Sequence, residues 1–164
     1  MKAVCSGSFD PVTLGHINVF ERASRMFDEL IVGVFHNVRK NPFFTVDERV
    51  RLIEEATRHI GNISVHSFSG LIPDFMRAQR ATVIVRGLRS VTDFEYEVQQ
   101  AQMIKHLAPE VETIFIMTGQ EYSYVSSSAI RELAAFQGKV SDLVPACVER
   151  AVREKVARMS FGTV

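Results

Sequence analysis

Five short apolar runs, each followed by a stretch of helical periodicity, leave this chain few folds to adopt. The runs are KAVCS (2–6), LIVGVF (30–35), ISVHSF (63–68), TVIV (82–85) and TIFIM (113–117). Several are apolar throughout instead of alternating, the pattern of strands covered on both faces of a parallel sheet. Between the first two, Ile17, Phe20, Ala23, Ser24 and Phe27 recur at steps of three and four, while Asn18, Glu21, Arg22, Arg25 and Asp28 fall opposite. That spacing predicts an amphipathic helix. Thr45 and Glu48 form a capping-box pattern before a stripe of Val46, Val50, Ile53, Ala56 and Ile60, and Gly61 is placed to end it. A shorter helix is expected over about 73–80. Another is expected over about 92–107, with Phe94, Val98 and Ala101 inward and Pro109 at its end. The last helices begin near Ser127 and Pro145. This alternation predicts an α/β fold: a single Rossmann-like, doubly wound domain over 1–164, with a five-stranded parallel sheet, right-handed connections and flanking helices.

A chain of 164 residues can bury a substantial core without staples. Nineteen basic residues balance nineteen acidic ones, so no global field draws the chain to nucleic acid or to an anionic membrane surface. Any anion it binds must be held by local charges. Cys5 and Cys147 are too few for a disulfide framework and lack metal-ligand spacing, so a cytoplasmic, reducing setting is the default expectation. The first residues run straight into a strand pattern with no signal-peptide character. The run LIVGVF falls far short of the roughly 20 residues that cross a bilayer.

Parallel sheets bind ligands beyond the carboxyl ends of their strands, near the point where strand order reverses. The segments that leave those ends are 7–16, 36–44, 69–74, 86–93 and 118–128, and they hold most of the unusual residues. In GSFDPVTLGH (7–16), Gly7 permits close backbone approach and Asp10-Pro11 sets a turn. His16 falls in the first helical turn, beside unpaired N–H groups and the positive end of the dipole. That suits phosphate, and it favours a neutral ring that donates one N–H. For an arbitrary histidine the plainer reading is a ring in solvent. The other four, His36, His59, His66 and His106, receive no role.

RGLRSVTDFEYE (86–97) places Arg86 and Arg89 directly after a strand, where forked guanidinium groups match phosphate oxygens. Lys40, in NVRKNPFF, could add a point charge. Ser126, Ser127 and Ser128 open a helix and offer hydroxyls and N–H groups, although simple N-capping needs only one of them. Arginines on loops are often just solvated. Three loops with phosphate-binding features at one sheet edge favour a phosphorylated ligand.

Taken together, GSFDPVTLGH, FTVDERV, RGLR, DFEYE and SSSAIRE resemble, in this order and spacing, the nucleotidyltransferase superfamily that carries an (H/T)-x-G-H motif. Within it the chain is similar to the bacterial phosphopantetheine adenylyltransferases over nearly its whole length. The resemblance implies transfer of AMP from ATP to 4'-phosphopantetheine, giving dephospho-coenzyme A and pyrophosphate. It implies that Ser8 and Phe9 contact ATP, that Ser8 also meets the acceptor, and that His16 stabilises the transition state. Lys40 and Arg86 would bind the acceptor phosphate, with Ile72 beside the pantetheine arm. Gly87, Leu88, Arg89, Glu97 and the run Tyr122, Ser123, Tyr124, Val125, Ser126, Ser127 and Ser128 would line the ATP site.

No protein metal ligand is implied; Mg²⁺ would be held mainly by ATP phosphates and water. A homohexamer is implied too, and feedback binding of coenzyme A is admitted. Ser8 stands where the family often has threonine, and Tyr122 where a tryptophan can occur.

The residue inventory agrees with this chemistry. The attacking phosphate carries about −1.5 to −2 charge near neutral pH and needs no general base. The site's work is to bring two polyanions together and stabilise charge around the α-phosphorus. Two alternatives stay open at this point: a sister enzyme that uses another phosphorylated acceptor, and a non-catalytic nucleotide sensor. Exposed Phe43 and Phe44 are further expected as candidate contacts between subunits.

Overall fold

The computed structural model describes residues 1–37 and 41–161, the last by its backbone alone. Lys40 lies outside the described residues. Five parallel strands, β1 (Lys2–Gly7), β2 (Glu29–Phe35), β3 (Ile63–Phe68), β4 (Val83–Leu88) and β5 (Glu112–Met117), form one sheet in the order β3-β2-β1-β4-β5. The expected α/β sheet is therefore present. Helices α1 (Leu14–Ser24), α2 (Val46–Ala56), α3 (Ile72–Gln79) and α4 (Val91–Leu107) connect the strands, and α5 (Ser127–Ala135) and α6 (Ala146–Phe161) follow.

Period-two alternation explains why the strands read as unbroken apolar runs. Ala3, Cys5, Leu30, Val32, Val34, Val83 and Val85 enter one core, beside Ile17, Phe20, Ile53, Ile130 and Val148 from the helices. Their neighbours Val4, Ile31 and Ile84 enter a second core with Phe75, Met76 and Ile104. The central strands β1, β2 and β4 thus bury both faces, while the edge strands β3 and β5 stay partly open. Gly33 belongs to this packing: a Cβ there would lie 2.7 Å from the Phe75 ring, so only glycine fits the close approach of α3.

Three helical expectations need correction. Helix α2 keeps its capping box, with Glu48 N–H on Thr45 Oγ1 at 3.2 Å and Thr45 N–H on Glu48 Oε2 at 2.8 Å. It ends at Ala56, before Gly61, because Thr57 closes the last turn by donating its hydroxyl to Ile53 O at 2.7 Å. Phe44 is 2 % exposed and Phe43 packs against the core, so neither offers a free apolar surface. Along α4 only Ile104 is buried; Val98 and Ala101 are half-covered and Phe94 is exposed, its ring edge resting on Phe115 of the edge strand. A helix against the sheet margin has too little beneath it to bury the stripe that its periodicity marks.

Candidate active site

The strand order reverses between β1 and β4, so the segments that leave them diverge and open a cavity of about 370 Å³. Its wall includes Ser8, Phe9 and His16 from the first segment, Arg86, Gly87 and Arg89 from the fourth, and Ser126, Ser127 and Ser128 from the fifth. This is where a doubly wound sheet is expected to bind a ligand.

His16 is held by its own helix start. Thr13 caps α1, accepting the His16 N–H on Oγ1 at 3.3 Å, while the Thr13 backbone N–H donates to His16 Nδ1 at 3.0 Å. The imidazole thus takes the place a glutamate usually holds in a capping box. A backbone N–H can only donate, so Nδ1 is an acceptor and the proton of the neutral ring sits on Nε2. Phe9 meets the ring edge-on at 5.0 Å, and Phe20 stacks behind it at 6.5 Å. Burial, reinforced by the charge of Arg89, pushes the His16 pKa down to about 4. The expected neutral donor follows directly: its Nε2–H has no protein partner among the described residues.

The two arginines of the fourth segment are already engaged. Arg86 donates from Nη2 to Glu97 Oε1 at 2.9 Å and from Nε to the other oxygen, while Nη1 reaches Ser6 O at 3.0 Å and Ser6 Oγ at 3.2 Å. Burial works against this charge, but the bonds from Glu97 outweigh it and hold the Arg86 pKa above its ordinary value. Arg89 is paired with Asp93, at 3.0 Å from Nε, and donates to Val125 O at 3.0 Å. Gly87 lies between them, where a Cβ would press on Val19 at 3.0 Å. A side chain there would need Val19 to give way by a few tenths of an ångström, so β4 packs closely on α1.

A third cation, Arg131, also lines the cavity; it donates to Asp10 O at 2.7 Å and to Ser128 Oγ at 3.2 Å. Reasoning from sequence missed it. Its signal was one helical turn away from the serine run, on the same face as Ser128. Among the serines, Ser126 supplies the cap, accepting from Ala129 N–H at 3.0 Å, and Ser127 donates to Pro11 O at 2.8 Å.

Comparison with known proteins agrees with this geometry. The cytidylyltransferase-like family model matches residues 4–133. A phosphopantetheine adenylyltransferase of Syntrophomonas wolfei is 51% identical over 154 residues, covering 94% of this chain and 96% of its own. One of Shouchella clausii is 52% identical over 157 residues, covering 96% and 99%. The chain belongs to the cytidylyltransferase-like family, in its phosphopantetheine adenylyltransferase branch. A Vibrio parahaemolyticus crystal structure, described as a candidate nicotinate-nucleotide adenylyltransferase, superposes with a TM-score of 0.70 over 96% of this chain and 94% of that one. At 16% identity it supports the fold alone.

Against this family frame the structure gathers eleven of the sequence-derived residues around one cavity: Ser8, Phe9, His16, Arg86, Gly87, Arg89, Glu97, Val125, Ser126, Ser127 and Ser128. The other described ones lie apart from its wall, and Lys40 falls outside the described residues. Leu88 is buried, and its carbonyl accepts from Thr118 N–H. Tyr122 packs against the core, and Ser123 and Tyr124 are exposed. Ile72 sits against the second core at the start of α3.

Proposed function

We infer that this chain transfers the adenylyl group of ATP to 4'-phosphopantetheine, producing dephospho-coenzyme A and pyrophosphate. The observation that carries the reading is the neutral His16 donor at the wall of a cavity edged by Arg86, Arg89 and Arg131, in a chain half identical to phosphopantetheine adenylyltransferases end to end. An acceptor phosphate oxygen attacks the α-phosphorus of ATP. A P–O bond forms there as the bond to the β-phosphate oxygen breaks, and the electron pair leaves with pyrophosphate. The nucleophile is already anionic, so no side chain has to remove a proton. What the residues supply is position and fixed positive charge.

His16 Nε2–H serves the oxygens of the phosphoryl group in transfer without adding net charge. The serine run at the start of α5 offers N–H groups and a helix dipole to the triphosphate. Arg131 and Arg89 border the same space. On the acceptor side we assign Arg86 and Lys40 to the phosphate and Ser8 to both substrates.

Mg²⁺ fits this site as an ion that ATP brings in. The carboxylates at the wall are already committed: Asp10 to backbone N–H groups, Asp93 to Arg89 and Glu97 to Arg86. The ion's ligands would then be phosphate oxygens and water, and it would neutralise charge on the leaving pyrophosphate. Coenzyme A carries the same arm and an adenine nucleotide, which makes it a candidate feedback ligand of this cavity. We place the enzyme in the cytoplasm as a homohexamer. Two buried, free cysteines and an uncovered apolar face on α4 support those two assignments.

Incubation with ATP, Mg²⁺ and phosphopantetheine tests the function. The expected product is dephospho-coenzyme A by mass, with stoichiometric pyrophosphate. Pyrophosphate release with nicotinamide mononucleotide or a polyol phosphate, and none with phosphopantetheine, would overturn it.

A further inference from the structure

Asparagine is a poor choice for the interior of a helix, because its short polar side chain competes for backbone groups. Asn18 nevertheless stands in the second turn of α1, half-covered, with no part in the chemistry above. Its Oδ1 accepts the Gly119 N–H at 3.0 Å, across 101 residues of chain. A backbone N–H can only donate, so the amide oxygen is the atom that faces it. One turn further along the same face, Arg22 donates to Met117 O. Helix α1 therefore ties down the end of β5 and the first residues of the segment that leaves it.

That segment, 118–126, is built from tight turns that carry the tie forward. The Thr118 N–H still bonds Leu88 O at 2.7 Å, Gly119 O accepts the Tyr122 N–H at 2.9 Å, and Tyr122 O accepts the Val125 N–H at 3.0 Å. Val125 O in turn accepts from Arg89, and Ser126 caps α5. The segment lies so close to α1 that a Cβ at Gly15 would stand 3.5 Å from both Thr118 Cγ2 and Tyr122 Cβ. Thr118 and Val125 line the cavity, whereas Asn18 is not part of its wall. At one corner of that wall Thr118, Val19 and Gly87 come together, and none of them carries a charge. Such a corner suits a nucleoside better than its phosphates.

We propose that Asn18 is a positioning residue for ATP: by holding Gly119 it sets how closely the segment between β5 and α5 lies against α1, and with it the width of the cavity at its nucleoside end. For the identity of the ligand this rests on the adenylyl transfer proposed above. His16 is capped by Thr13 and not by Asn18, so loosening Gly119 leaves the transition-state donor in place. The effect therefore falls on ATP binding more than on turnover or on the acceptor.

The test is Asn18→Ala in the full chain, with Asn18→Asp as its conservative partner. Alanine removes the acceptor and is the better helix former, so the fold should hold. Aspartate keeps an oxygen acceptor for the Gly119 N–H, and its charge faces Arg22 one turn on. Calorimetry with a non-hydrolysable ATP analogue gives its Kd. Steady-state kinetics give kcat and both KM values.

For Asn18→Ala we expect the ATP KM and the analogue Kd to rise about 5–20-fold, the scale of one backbone donor left unbonded. The phosphopantetheine KM should stay within about twofold and kcat within about threefold, the pattern of lost binding without a lost transition-state contact. Asn18→Asp should recover most of the loss. Unchanged ATP binding, equal rises in both KM values, or an Asn18→Asp variant no better than Asn18→Ala would overturn the proposal. A fall in melting temperature alone would do the same, since it would make the bond structural only. If Asn18→Ala does not fold, Arg22→Gln, which cuts the adjacent tie to Met117 O, decides by the same comparison. Wild-type protein that makes no dephospho-coenzyme A would remove the proposed function, while the analogue Kd values of wild type and variants still judge this inference.

Discussion

At the residue scale the decisive feature is the proton on His16. The Thr13 N–H fixes it on Nε2, and burial keeps the ring neutral far below the usual range. His16→Ala should lower kcat by about 10²–10⁴ with smaller effects on KM, as for the loss of one preorganised donor. A loss of tenfold or less would remove the ring from the transition state. The same burial links the ring to stability. In the unfolded chain it takes a proton below about pH 6.5, whereas the folded chain resists until about pH 4. The unfolded state therefore binds more protons in that window. Stability from this group is full above pH 6.5 and declines as pH falls toward 4, by up to about 3 kcal/mol over the whole window. Urea unfolding of wild type and His16→Ala at pH 7, 6 and 5 checks this: the wild-type stability should drop more steeply. Parallel declines in the two proteins would show that the ring titrates at an ordinary pKa.

At the scale of the elements, packing against both faces of the sheet makes specific demands. Gly33→Ala in β2 would place its Cβ into the Phe75 ring, and it should cost about 1–3 kcal/mol, the usual range for overpacking. Thermal melts of that variant check the figure, and recovery by Phe75→Leu would identify the clash. The central strands were legible in the sequence because burial on both faces leaves continuous apolar runs, and α1 and α2 because each has one covered stripe. The loops around the cavity were legible because phosphate chemistry draws glycine, arginine and serine to helix starts. Two buried charged residues, Asp10 and Arg49, were not. Their partners are backbone N–H and carbonyl groups of distant segments, which leave no mark on residue type. Even so, Arg49 lies one turn before Ile53, within the apolar stripe of α2, and a charge in that position was a readable sign of burial. The four residues that lie off the cavity wall in the fifth segment and at α3, Tyr122, Ser123, Tyr124 and Ile72, follow from family position rather than chemistry.

At the scale of the whole molecule, the proposed assembly turns on the exposed apolar residues of α4. Its apolar residues fall on two sides. Phe94, Val98, Ala101 and Ile104 turn toward the sheet margin, while Tyr96, Met103 and Leu107, spaced by seven and four, form a second stripe. Those three are 59 %, 58 % and 43 % exposed, and Met117 at the adjoining end of β5 is 56 % exposed. Periodicity marked only the inward stripe, because a pattern cannot say which apolar face a monomer leaves uncovered. Single scattered apolar residues need no explanation, but several exposed on one helix beside an edge strand are candidates for self-association. The catalytic cavity opens at the carboxyl ends of the strands, so covering this stripe would leave the mouth to substrates. Light scattering of the wild type is expected to give about six times the 18.5 kDa of one chain, in line with the proposed hexamer. Met103→Asp with Leu107→Asp should dissociate it, because burying two charges in an apolar interface opposes association. Both positions are exposed in the single chain, so the variant should keep its fold and its far-ultraviolet circular dichroism. A wild-type monomer at micromolar concentration would rule out the assembly, and a hexamer that survives both substitutions would move the interface to another face.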